Sequence, residues 1–115
     1  MMTEIIRLTN DTLFSAATPV AEPIGLPVAQ TRTALHRELS DTQNTTGIWE
    51  CTPGSWRRQV LLAEYSYIIS GTGRFTPDEG EPVDFQAGDA IYFPANTSGT
   101  WEIRETVRKT YLLLG

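Results

Sequence analysis

The feature that most constrains this chain is its punctuation after Thr46, where short β-prone runs are each closed by glycine, proline or asparagine. Gly47 to Thr52 ends at Pro53-Gly54, Trp56 to Leu62 follows, and Tyr65 to Ser70 ends at Gly71-Thr72-Gly73, which reads as a turn. Arg74 to Thr76 runs into the polar turn Pro77 to Pro82, Val83 to Gln86 ends at Gly88-Asp89, and Ala90 to Phe93 ends at Pro94-Ala95-Asn96. Thr100 to Arg104 and Lys109 to Leu114 complete the series. Proline lacks a backbone donor and glycine supplies turn conformations, so runs of this length break at these points. About eight such runs without a helical period predict an all-β antiparallel sandwich or barrel.

Length sets the scale: 115 residues make one domain with a single core. Residues 1–45 read as an N-terminal arm, part of the same domain or a dimer contact, and 46–115 as the barrel. Pro19, Pro23, Gly25 and Pro27 exclude a long regular element in the arm. A short strand is expected at Glu4 to Leu8, and Thr31 to Leu39 reads either as a strand or as one to two helical turns.

The net charge of −5, without a basic block, argues against nucleic acid as a partner. Arg104, Arg108 and Lys109 read as a solvated rim. Cys51 is the only cysteine, which excludes an intrachain disulfide and a cysteine-based zinc site, and a reducing cytoplasm is expected. The longest apolar runs, Val60 to Ala63 and Tyr111 to Leu114, are too short to cross a bilayer, and no export signal opens the chain, so no membrane is expected as a partner.

Glu64 stands at the head of a strand in register with Ser66 and Ile68, because side chains two apart share a face. Six residues separate Glu64 from Gly71, and five separate Gly88 from Pro94. These spacings resemble the two motifs of the cupins. Gly47 to Gly54, Gly88 to Pro94, Gly99-Thr100-Trp101-Glu102 and Glu105 to Tyr111 resemble, more narrowly, the small cupins grouped with (S)-ureidoglycine aminohydrolase and the ethanolamine-utilisation cupin. The resemblance implies a cupin (RmlC-like) double-stranded β-helix, an antiparallel jelly-roll barrel with an extended N-terminal arm, and a homodimer.

It also implies a metal site that these residues do not supply. The two histidine positions of the first motif fall on Arg57 and Gln59, or on Arg58 and Val60 if the gap before Glu64 is one residue shorter. The third falls on Gly99. Of the four family ligands only Glu64 stands, and a lone carboxylate does not hold a transition metal. No metal or other cofactor is therefore expected. If Gly99 faces inward, so do Trp101 and Ile103. Arg57 and Glu64, if both inward, would pair, with Gln59, Ser66 and Tyr92 supplying further hydrogen bonds. The candidate ligand-binding residues are thus Glu64, Arg57, Gln59, Ser66, Tyr92 and Trp101. His36, in the arm, reads as a surface or packing residue, and Cys51 as a buried, inert thiol.

Three functions fit these residues. The first is binding of a small polar metabolite in the barrel without a histidine-ligated metal. The second is a metal-dependent hydrolase of the ureidoglycine aminohydrolase type. The third is a structural or interaction protein whose barrel is filled by its own aromatic side chains. Which of them applies, and whether the chain is an enzyme, the residues alone leave open.

Overall fold

The computed structural model describes residues 3–10, 12–39 and 42–115, and its regular elements are all strands. They are β1 (Thr18–Pro19), β2 (Pro23–Ile24), β3 (Gln30–Glu38), β4 (Thr45–Cys51), β5 (Gly54–Val60), β6 (Ala63–Pro77), β7 (Val83–Gln86), β8 (Ala90–Phe93) and β9 (Thr97–Leu114). No helix of the described residues is long and apolar enough to cross a membrane.

Two long strands organise the sheet. β9 runs antiparallel to β6 from Ala63↔Leu114 to Pro77↔Gly99. Its other edge is shared between β4, opposite residues 107–113, and β5, opposite residues 97–103. The far edge of β6 carries β8 and β7, while β3 extends the sheet beyond β4, with β1 on β3 and β2 on β5. The pairing is antiparallel throughout, and the sheet curls on itself into an open barrel, as the resemblance implies. Residues 18–38 therefore share one sheet with the strands that follow.

The expected turn at Gly71-Thr72-Gly73 lies inside β6. Register shifts flank Thr72, and Gly71 adopts φ 93°, so the glycines bend a strand that continues instead of reversing it. A Cβ at Gly71 would collide with the carbonyl oxygen of Thr106 on β9, so the two long strands approach closely where both bend. The same continuity joins the runs expected at 100–104 and 109–114 into the single strand β9. Thr31 to Leu39 resolves as strand β3, with an irregularity between Ala34 and Arg37 where Leu35 adopts φ 55°. Glu4 to Leu8 forms no strand; Glu4 is held instead by an exposed ion pair to Arg37.

Alternation sorts each strand into an inner and an outer face. On β6, Glu64, Ser66 and Ile68 are buried while Tyr65 and Tyr67 are exposed. On β9, Gly99, Trp101, Ile103, Val107, Lys109 and Tyr111 are buried. The core gathers around Trp101, whose ring centroid lies 4.9 Å from that of Phe75 and 5.6 Å from those of Phe85 and Phe93. Phe75 and Phe85 meet it edge to face, which adds about 0.5–1.5 kcal/mol per pair beyond the area buried.

Candidate functional site

Above this aromatic floor the barrel opens into a cavity of about 380 Å³. Its wall is apolar at Trp49, Val60, Phe93, Trp101 and Leu113, and polar at Arg58, Glu64, Lys109, Tyr111, His36, Thr31 and Thr33. Strands β3, β4, β5, β6, β8 and β9 each contribute to it.

Glu64 is the centre of the polar group. Lys109 Nζ donates to its Oε2 at 2.5 Å, and Ser66 Oγ donates to the same oxygen at 2.5 Å. Ser66 reaches it because it lies two residues along the same face of β6. Both ends of the ion pair are almost wholly buried, with side chains 5% and 6% exposed. Burial opposes ionisation of Glu64, but Lys109, Ser66 and, more distantly, Arg58 outweigh it and hold the carboxyl below its ordinary value. Burial, with Arg58 adding to it, draws the Lys109 ammonium below the ordinary lysine value against the pull of Glu64. The ammonium is further held by three aromatic faces, with Nζ 4.7 Å from the Trp49 ring centroid, 5.2 Å from Trp101 and 5.5 Å from Phe93.

Arg58 borders the cavity with its guanidinium 5.8 Å from the Trp56 ring. Among the described residues no carboxylate lies within ion-pair distance of it. Opposite, His36 Nδ1 and the Tyr111 hydroxyl share a hydrogen bond of 2.5 Å. Gly47 makes room for that hydroxyl, since a Cβ there would lie 2.6 Å from it. Trp101 is 2% exposed, and among the described residues its Nε1 has no acceptor.

Of the residues singled out from sequence, the structure places Glu64 and Trp101 on the cavity wall, with Ser66 wholly buried and bonded to Glu64, and leaves three outside. Arg57 points away from the barrel, where Asp78 accepts two hydrogen bonds from it at 2.7 Å and Thr100 Oγ1 one at 3.1 Å. Gln59 is exposed on the same outer face of β5, and Tyr92 is exposed on β8, where the inward residue is Phe93. The expected pairing of Glu64 with Arg57 is therefore replaced by pairing with Lys109. The reason is parity: on β5, Trp56, Arg58 and Val60 share the inner face, so the shorter gap before Glu64 is the one that matches the first motif.

One cavity side chain departs from its expectation: Lys109, expected on a solvated rim, is 5% exposed. His36 is exposed, as expected of a surface residue, and stands at the edge of the cavity against Tyr111. Lys109 was legible: continuing the alternation from Trp101 through Ile103 and Val107 reaches it. His36 carried no such signal, because β3 could not be told from helical turns.

These residues do not fit a divalent metal. Arg58, Val60 and Gly99 stand where the resemblance places histidines, and among the described residues no three metal-ligating side chains converge. The cation beside Glu64 is the chain's own ammonium. Nor is there space for a third imidazole, because a Cβ on Gly99 would lie 2.5 Å from the Thr76 carbonyl oxygen and 2.6 Å from Phe75 Cζ.

The family model of the EutQ-like cupin domain matches residues 39–111. Among solved structures, an EutQ protein from Clostridium difficile is similar at 22% identity and TM-score 0.63, over 76% of this chain and 68% of that one. A protein of unknown function from Pseudomonas syringae pv. tomato is similar at 22% identity and TM-score 0.78 over 92% of this chain, which spans 46% of that protein. A DUF861-family protein from Thermotoga maritima shares 30% identity at TM-score 0.57, over 58% of this chain and 76% of that one. No curated protein matches the chain.

Proposed function

The chain belongs to the EutQ-like cupin family, and from that premise we propose that its barrel binds a small, negatively charged polar metabolite without a histidine-ligated metal. The observation that carries this reading is the charge balance of the cavity wall. Glu64 and Lys109 neutralise one another, which leaves the Arg58 guanidinium, exposed at the edge of the pocket, as the cation there without a carboxylate partner among the described residues. A guanidinium presents a planar fork that suits a carboxylate. The volume of about 380 Å³ suits a small metabolite.

A thermal-shift screen of small carboxylic acids against neutral and amine analogues tests it, because specific binding raises the melting temperature with occupancy. Acids are expected to raise it and amines are not. A preference for amines, or no response to any acid, would refute the reading. The metal-dependent hydrolase reading finds no donor set among the described residues. The filled-barrel reading is supported only at the floor, where Trp101 and three phenylalanines close one end and leave the cavity above them.

The proposal includes a homodimer in the cytoplasm. Tyr65 and Tyr92 are cross-strand partners on the outer face of β6 and β8, and with Tyr67 they leave three tyrosines 46–59% exposed on one apolar surface. Light scattering coupled to size exclusion should give twice the chain mass, and a clean monomer would contradict it.

A further inference from the structure

Lys109 is the only lysine in the chain, whereas every other cation of the sequence's Lys and Arg set is arginine. Arginines make all the remaining ion pairs to carboxylates among the described residues, including the partly buried pairs to Glu50. An arginine would serve equally to neutralise a buried glutamate, and it cannot lose its proton in a protein. The one position where this chain uses an amine is a buried cavity wall, 2.5 Å from a carboxylate able to take a proton from it. Its aromatic surroundings at Trp49, Phe93 and Trp101 exclude bulk water.

We propose that Lys109 is an imine-forming amine, and that the cavity takes a small 2-oxo acid or aldehydo acid whose carboxylate is held by Arg58 and whose carbonyl carbon is attacked by Lys109 Nζ. This rests on the anion-binding reading above and adds a covalent step to it. Glu64 accepts a proton from the ammonium and leaves a neutral nucleophile. The nitrogen lone pair forms a C–N bond as the carbonyl π pair moves to oxygen, which takes that proton back from Glu64 to give a carbinolamine. Glu64 then carries the second N–H proton to the hydroxyl, which departs as water while the C=N bond forms. The sum is ammonium plus carbonyl giving protonated imine plus water, with Glu64 regenerated and no change of oxidation state. Ser66 acts as a positioning residue, since its hydroxyl holds the Glu64 oxygen that faces Nζ. Desolvation of the ammonium works in the same direction by enlarging the neutral fraction.

Reductive trapping tests this on the intact protein, and the single lysine makes the result easy to read. Glyoxylate or pyruvate is added with sodium cyanoborohydride, and the adduct is located by intact mass and peptide mapping. Saturable labelling of Lys109 is expected, blocked by an excess of acetate or propionate and slowed about tenfold in Arg58→Gln, in line with loss of one charge-assisted contact. The N-terminal amine, the other primary amine, should label slowly and without saturation. Lys109→Arg, with folding checked by circular dichroism, should leave only that background. If the acid raises the melting temperature of the protein but Lys109 stays unlabelled, the imine is refuted and the binding reading stands. If neither acid shifts the melting temperature nor labels Lys109, both fail. Equal labelling in Arg58→Gln would overturn the assignment of the carboxylate to Arg58.

Discussion

Lys109 on β9 and Glu64 on β6 meet at 2.5 Å inside the barrel, although 45 residues separate them in the chain. β6 and β9 pair along almost their whole length, and the two residues are offset diagonally on the shared inner face, near Ile68↔Lys109 and Glu64↔Leu113. Removing either partner leaves a buried charge without its ion-pair partner. Lys109→Met or Glu64→Leu alone should therefore lose about 3–5 kcal/mol of stability, while the double change should recover most of it, because apolar replacement of a whole buried pair is often neutral or stabilising. Urea denaturation of the four proteins gives the cycle. A double variant as unstable as either single would contradict it.

Acid should destabilise the fold through Glu64 and Glu50. Burial works against ionisation of both. Lys109, with Ser66 and Arg58, overcomes it at Glu64, as do Arg32 and Arg108 at Glu50, so both carboxyls sit below their ordinary value of 4.5. A depressed native value means stability that is present above the unfolded value and is lost as pH falls through the native one. The melting temperature should hold from neutrality to that ordinary value and drop below it, with a shallower drop in Glu64→Gln. A variant profile as steep as the parent's would remove Glu64 from the account.

Gly99 should not tolerate a side chain. Its Cβ would meet the Thr76 carbonyl oxygen and the Phe75 ring at 2.5 and 2.6 Å. Gly99→Ala should cost about 1–3 kcal/mol through overpacking. Placing histidines at Arg58, Val60 and Gly99 together should for the same reason fail to build a metal site, which metal analysis after dialysis against zinc would check. Stoichiometric tight binding would show that the barrel can open more than its packing indicates.

Cys51 should resist alkylation. Burial pushes its thiol up to about 12 although the nearby Lys109 and Arg58 cations pull the other way. Iodoacetamide at mildly alkaline pH should leave the native protein unlabelled and modify it readily in denaturant. Rapid native labelling would indicate that the core around Trp56 and Val107 opens.

Much of this was legible in the sequence, and what was not has specific causes. The glycine, proline and asparagine breaks and the spacing around Glu64 and Pro94 carried the all-β barrel and its cupin pattern. The turn expected at Gly71 to Gly73 was a bend in β6, because glycine permits both and only the pairing with β9 decides. Ser66 and Trp101 followed from alternation. Arg57 and Gln59 were placed by the wrong one of two gap lengths, and a shift of one residue moves every side chain on a strand to its other face. Tyr92 failed for the same reason, since its neighbour Phe93 holds the inner position. Lys109 was within reach of the same alternation, but its neighbours Arg104 and Arg108 made a buried amine look like part of a charged rim.

Isothermal titration with an acid identified by the thermal-shift screen tests the central claim most directly, in the parent protein, Arg58→Gln and Arg57→Gln. Arg58 faces the cavity and Arg57 faces Asp78 outside it. Binding should weaken about tenfold or more in Arg58→Gln and stay unchanged in Arg57→Gln. Equal affinity in the parent and Arg58→Gln, or a loss confined to Arg57→Gln, would contradict an anion site built on the inner face of β5.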